Sequence, residues 1–335
     1  MIAKETLFKI LEPRDLVLGG AFVALLVAGS FVHSNIYRSV DTSVCSMDNF
    51  AADMFEAWDN YKPLENVRCY DAISRDMSRA EAREYQREFE ALMAEDHPRV
   101  GYKIGIHEPS QQRVFGLDGP VFGVFYGDDA FHEDGAIIDA KGQKINFEPD
   151  FLLRVGDERI NDAKTVEEVA EYIDRAYAFI ELPASAAGHD DLPGDALFPN
   201  FRLMQATNLA ARYGVIGEYM DAKDDPNFAE NLRNMQVVAT NYKGQSTPPY
   251  EVANDDTHPL VTALLTAEFL KERGEKLEVG DVISVGAMLA FIGNSVEWEL
   301  PGIDNEVRHV NYYIGDKMLH VSVGFEDSVR GTRYE

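Results

Sequence analysis

The sequence predicts an α+β fold, and three patterns carry that prediction. Between about residue 39 and residue 98 apolar residues recur at helical intervals, whereas from Gly101 onward short apolar runs alternate with turn residues. A helix signature at Thr165–Glu168 leads directly into a branched apolar strand ending at Pro183, and a core helix is spaced over Pro259–Lys271, stopping at Gly274. A chain of 335 residues with 45% hydrophobic content buries a substantial core, as one large domain or two. The divisions expected are an N-terminal apolar segment (1–38), a helical cap region (39–98) and a β-rich body (99–330). A net charge of -27 argues against nucleic acid or an anionic membrane surface as partner. So acidic a protein needs a local positive centre to hold an anionic substrate.

The first element is that apolar segment. No Asp, Glu, Lys or Arg occurs from Leu16 to Tyr37, and Leu16–Val32 is nearly all apolar or small. The run suits an uncleaved signal anchor or the apolar region of a signal peptide. The expectation is a membrane-anchored or exported chain tethered through residues 16–32, with a periplasmic side or a cytoplasmic face both open. Two cysteines follow, Cys45 and Cys69. They read either as a disulfide pinning this region, a closure that contributes roughly 3 kcal/mol, or as two buried thiols.

The cap comes next. Asn49–Trp58 spaces its apolar residues helically, and Ser78-Arg-Ala-Glu81 is a capping box ahead of a strongly charged helix running toward Met93. Strands and turns begin at Gly101-Tyr102-Lys103-Ile104-Gly105. A lysine in so apolar a setting either pairs with an anion, as in many sites, or snorkels to solvent.

Phe147–Val155 reads as a strand, so Glu148 and Asp150 point to one face while Pro149 and Phe151 turn the other way. Two adjacent carboxylates call for a compensating cation, and a hard divalent ion such as Mg²⁺ or Mn²⁺ prefers oxygen ligands. The same stretch also suits a solvated edge strand marked by Pro149. After the Thr165–Glu168 helix, Tyr177-Ala-Phe-Ile-Glu181-Leu-Pro183 places one acid in a buried apolar strand, where it is costly unless paired. Glu181 is therefore the natural third ligand.

The ordered set Gly-Tyr-Lys103-Ile-Gly, Pro-Val-Phe-Gly123, Phe-Glu148-Pro-Asp150-Phe and Phe-Ile-Glu181 resembles the fumarylacetoacetate hydrolase superfamily, most closely its 2-keto-4-pentenoate hydratase group. The resemblance covers about residues 75–325. It implies a mixed β-sandwich or roll body with helices around it, a divalent metal (Mg²⁺ or Mn²⁺) on Glu148, Asp150 and Glu181, and Lys103 beside the substrate. It further implies Asn208 and His107 as substrate-binding positions and a homo-oligomer. The activity implied is addition of water to a 2-hydroxy-2,4-dienoate, giving a 4-hydroxy-2-oxo acid. The alternatives are an acylpyruvate hydrolase or 2-oxo diacid decarboxylase on the same scaffold, or a tethered binding protein without turnover. Hydrolysis would need a base for water, from His97 or His107. The chain departs from the hydratase pattern at Val121, where an acid is usual, and at Leu289, where a threonine is usual.

Among the remaining segments, His258 before Pro259 reads as a helix-start residue, and Tyr312–Lys317 as a hairpin turn. Trp58 and Trp298 read as packing residues.

Overall fold

The larger sheet is buried on both faces, its strand Val121–Tyr126 throughout, in the computed structural model, which describes residues 45–139, 145–184, 200–241, 243–251, 258–287 and 306–325, with Ser43 and Ala186. Among the described residues three helices come first: α1 (Phe50–Asp59), α2 (Val67–Ser74) and α3 (Arg79–Asp96). Cys45 and Cys69 are bonded and tie the chain before α1 to α2. The expected capping box opens α3: Ser78 Oγ accepts from Glu81 N (3.2 Å), and Glu81 Oε2 accepts from Ser78 N (2.8 Å). Its buried residues are Ala82, Gln86, Phe89, Glu90 and Met93, so an amide and a carboxyl group sit among its apolar side chains, the carboxyl ion-paired with Arg273.

The body follows with β1 (Arg99–Gly105), α4 (Pro109–Phe115), β2 (Val121–Tyr126), β3 (Phe131–Glu133), β4 (Ala136–Ile138) and β5 (Glu148–Val155). Next come α5 (Val166–Tyr172), β6 (Ile173–Leu182), α6 (Phe201–Ala206), β7 (Tyr213–Asp221), α7 (Phe228–Arg233), β8 (Gln236–Thr240) and β9 (Tyr250–Glu251). The last elements are α8 (Pro259–Glu272), β10 (Val282–Ser284), β11 (Glu306–Ile314) and β12 (Lys317–Phe325).

Among the described residues the strands form a seven-stranded sheet, β2-β1-β10-β5-β6-β7-β3, and a five-stranded sheet, β4-β12-β11-β8-β9. Strands β1 and β10 are parallel, while β5, β6 and β7 run antiparallel in succession. This mixed, two-sheet body with a helical N-terminal region is the α+β class that the sequence predicts. The sheets approach closely where β7 carries Gly217: a Cβ there would lie 2.3 Å from the His320 carbonyl oxygen. Phe151, Leu153 and Val155 enter the main core with Ala176, Ala178 and Ile180 of the neighbouring strand. The β11–β12 hairpin turns at Gly315, with Ile314 facing Lys317 as expected. His258 caps α8 through Nδ1, which accepts from Leu260 N (3.1 Å), and its Nε2 donates to the Ala229 carbonyl (3.0 Å). Burial among these contacts pushes the imidazole pKa down.

No helix among the described residues is long and apolar enough to cross a membrane, so the membrane-anchored or exported reading and its tether are not supported. Residues 16–32, on which that reading rested, lie outside the described residues, as do Leu289 and Trp298. Strand β5, moreover, is not an edge: it is flanked by β10 and β6, and Pro149 occupies its second position, where the ladder is only starting.

Candidate active site

Register brings the predicted residues to one face of the larger sheet. Glu148 lies directly across from Glu181, and Asp150, two residues on, shares their side. Ser284 on β10 is paired to Lys103 on one flank and to Leu152 on the other, which carries the lysine onto that same side. Glycines stand across from two of the charged residues. Gly214 faces Glu181 and Gly123 faces Lys103. A Cβ on Gly123 would lie 2.6 Å from the Asn208 carbonyl oxygen and 3.0 Å from the lysine's own Cγ. Leu152, Phe125 and Phe179 form a small apolar cluster on this face, distinct from the main core.

The polar groups are deeply enclosed. Lys103, Asp150 and Glu181 are buried, and Glu148 is partly exposed. Lys103 Nζ is ion-paired with Glu181 Oε1 and also donates to the Leu209 carbonyl at 3.1 Å. Asp150 Oδ2 accepts from the Ser284 hydroxyl, and its Oδ1 accepts from Phe151 N at 2.5 Å. Loss of solvation, reinforced by Glu181 and only partly offset by Lys103, lifts Glu148 to about 7. Desolvation and the Glu181 charge raise Asp150 well above the usual range despite its hydrogen bonds. Desolvation raises Glu181 too, against the opposing pull of Lys103. Burial is the main cause of this resistance to ionisation in all three, and at Glu148 and Asp150 the nearby Glu181 charge adds to it.

An oxygen-only donor set short of positive charge is the chemistry that Mg²⁺ or Mn²⁺ suits. Among the described residues, however, no three acids or imidazoles stand gathered tightly enough to close on one ion as they are arranged. Glu181 is taken by Lys103 and Asp150 by Ser284. An ion binding here must compete with the ammonium for Glu181.

Asn208 sits beside the site, but both ends of its amide are engaged by β2: Oδ1 accepts from Val124 N and Nδ2 donates to Val124 O, each at 2.8 Å. His107 stands next to Gly286, just past the C-terminal ends of β1 and β10. His97 lies elsewhere, 3.3 Å from Asp59 and edge-on to Trp58.

Sequence reasoning missed several participants. Ser284 ends a short apolar run, and its hydroxyl carried no signal of a carboxylate partner. Gln86 was detectable as the one amide in the stripe of α3, and it donates to Phe122 O (2.9 Å) and to Asn208 Oδ1 (3.3 Å). Arg212, almost wholly buried, lies over the Trp58 ring at 3.6 Å and joins the helical region to the body, a role beyond simple packing for that tryptophan.

No family model matches the sequence, and no curated protein matches it. The similarity is one of fold. The 4-oxalocrotonate decarboxylase from Pseudomonas putida G7, complexed with magnesium and adipate, superposes with a TM-score of 0.64 at 20% identity, over 82% of this chain and 95% of that one. The same enzyme complexed with calcium and acetate gives 0.62 at 20% identity, over 84% and 99%. A fumarylpyruvate hydrolase from Pseudomonas aeruginosa in complex with Mn²⁺ and pyruvate aligns more loosely, with a TM-score of 0.45 at 16% identity over 68% of this chain and 89% of that one. By its two-sheet body and the order of its motifs, the chain has the fold of the fumarylacetoacetate hydrolase superfamily.

Proposed function

We propose that this chain is a divalent-metal-dependent enzyme acting on a 2-oxo carboxylic acid, and that within this class it decarboxylates a conjugated 2-oxo diacid. The observation that carries the reading is the sheet face that gathers Glu148 with the buried Asp150, Glu181 and Lys103, three carboxyl groups with one lysine. The fold it shares over most of its length with a decarboxylase complexed with magnesium and a dicarboxylate supports the same reading.

Glu148, Asp150 and Glu181 would hold the ion, with Asp150 kept in place by Ser284. A bound divalent ion supplies a Lewis acid that polarises the substrate's oxo group. The chain itself supplies the rest. Lys103 offers an ammonium for the substrate carboxylate, a local positive centre within a chain of net charge -27. The apolar wall of Leu152, Phe125 and Phe179 excludes water from the reacting carbons. In decarboxylation the bond to the leaving carboxylate breaks, its electron pair moves into the conjugated oxo system, and a proton returns to carbon as the system re-forms. In this reading Lys103, in contact with Glu181, would deliver that proton.

Hydration of a 2-hydroxy-2,4-dienoate is less well supported. At Val121, where the hydratases usually carry an acid, this chain buries a valine among Met204 and Leu209. The test is to supply Mn²⁺ with an oxalocrotonate-type diacid and, separately, with a 2-hydroxydienoate, following CO₂ release and loss of dienoate absorbance. Metal-dependent CO₂ release is expected. Water addition without CO₂ release would replace the decarboxylase by the hydratase, and no turnover of either would remove the enzyme reading.

A further inference from the structure

Three consecutive residues that carry side chains, Asn208, Leu209 and Ala210, hold left-handed backbone with φ of 59°, 53° and 51°. Asparagine tolerates this region, but leucine and alanine rarely enter it, and a run of three is held only by surroundings that over-determine it. Those surroundings are specific. The Asn208 amide pairs with both main-chain groups of Val124, as an added strand residue would. Gln86 reaches from α3 to that same amide oxygen and is itself bonded by Gln205. Leu209 fixes its side chain in a cluster with Val121 and Met204, against which Ile106 packs. Ile106 is the other left-handed residue here (φ 52°), and it lies three positions past Lys103. On the β2 side, Gly123 leaves room for the Asn208 carbonyl where any Cβ would collide.

What this bracing delivers is one atom, the Leu209 carbonyl oxygen, to Lys103 Nζ at 3.1 Å. The other described partner of that ammonium is Glu181. If Glu181 turns to a divalent ion, the lysine loses its counter-ion and would be free to swing away. We propose that the Asn208–Ala210 turn is the device that keeps Lys103 aimed at the substrate when the ion takes Glu181, with Asn208 as a positioning residue and the Leu209 carbonyl as the anchor. This rests on the oxo-acid reading above. It assigns Asn208 a place behind the lysine, in contrast to the substrate contact that the resemblance implies.

The experiment uses the full chain with Asn208→Ala and Asn208→Gly, the glycine permitting left-handed backbone while removing the brace. Gly123→Ala attacks the same turn from the strand side. Three quantities are read: Mn²⁺ affinity by calorimetry, acetylation of Lys103 by acetic anhydride in Mn²⁺-loaded protein by mass spectrometry, and kcat and KM on the 2-oxo diacid. The expected result is unchanged Mn²⁺ affinity, several-fold faster acetylation of Lys103, and a kcat lowered by about 100-fold with little change in KM, the usual cost of a small misplacement. Asn208→Asp, which keeps the acceptor for Val124 N, should recover part of the loss. Unchanged acetylation and kcat in both Asn208 variants would overturn the proposal, as would loss of Mn²⁺ binding in them, since the turn would then serve the carboxylates. Should Asn208→Ala not fold, Asn208→Gly gives the same readings, with Asn208→Asp intermediate between it and the unaltered protein. Absence of turnover in the unaltered protein would defeat the enzyme reading, yet the acetylation rates would still decide whether the turn holds the lysine.

Discussion

The two faces of β5 obey different rules although they share one backbone. On one face Phe151, Leu153 and Val155 are fully buried in the main core, and Phe151 packs against Tyr312 with ring centroids 5.4 Å apart. That tyrosine's hydroxyl donates to the Phe179 carbonyl at 2.6 Å, so even its polar end is satisfied. On the other face Asp150 is equally buried, but as one of three acids that share a single lysine. The first arrangement is explained by the stability it adds. The second costs stability at every group, and the shared cost makes sense only if something positive is to bind. Local strain leans the same way: among the described residues, four of the six left-handed non-glycine residues, Ile106 and Asn208–Ala210, lie beside the acidic face, while Tyr61 and Asn66 belong to the helical region.

Substitutions separate the two faces. Lys103→Met should abolish turnover and destabilise the protein in chelator by about 3 kcal/mol, because it leaves buried carboxylates without their cation. It should nevertheless bind Mn²⁺ at least as tightly, since the competitor for Glu181 is gone. Glu181→Gln should lose both turnover and Mn²⁺ binding, and calorimetry on the pair distinguishes ligand from competitor. Weaker Mn²⁺ binding in Lys103→Met would mean that the lysine organises the acids and does not compete for them. Phe151→Ala, one residue from Asp150 but on the opposite face, should cost about 3–5 kcal/mol in denaturant unfolding. Its Mn²⁺ affinity should not move. A large loss of affinity there would show the two faces to be coupled through the strand.

The acidic face also makes stability depend on pH, which the apolar face cannot do. Glu148 is lifted from 4.5 to about 7, and Asp150 and Glu181 are raised as well. Groups whose folded pKa is raised bind more protons in the folded than in the unfolded protein. Their stabilisation is therefore complete below the unfolded pKa and is lost as pH climbs through the folded one. In chelator, unfolding free energy should fall on the order of 2 kcal/mol between about pH 4.5 and 7 from these groups. Saturating Mn²⁺ should flatten or reverse that fall, and Glu148→Gln should reduce it. A curve identical with and without the metal would mean that the ion binds elsewhere.

The chemistry of this face was legible before the fold because strand periodicity is fixed by the backbone. Glu148 and Asp150 had to share a side, and an acid as isolated as Glu181 in an apolar strand had to find a partner. Lys103 between two glycines was equally conspicuous, and its partner proved to be Glu181. What the sequence concealed were relations set by long-range pairing. Pro149 suggested an edge, yet β5 is internal, because the neighbour that covers it, β10, comes from more than 130 residues later. The segment Thr207–Ala211 has the residues of a helix, and only Asn208 hints at left-handed backbone. The turn exists because Val124, Gln86 and the cluster around Val121 arrive from elsewhere to hold it. The apolar N-terminal run was read from local composition, and no described helix has the length or apolarity to cross a membrane.

The smallest expected effect is also the cleanest contrast between the two environments. Ala178 lies on the core side of β6 opposite Phe151, and Ala210 closes the left-handed turn. Replacing either with glycine removes the same methyl group from a buried position and adds the same freedom to the unfolded chain. At Ala178 nothing compensates, so the change should destabilise by about 1 kcal/mol. At Ala210 glycine also relieves left-handed strain of roughly 1–2 kcal/mol, which exceeds the entropic loss and should stabilise the protein by about 0.5 kcal/mol. Opposite signs from one chemical change, read as shifts in the denaturant midpoint, would locate the strain in the turn itself. Equal losses at both positions would mean that the left-handed conformation at Ala210 carries no strain for glycine to release.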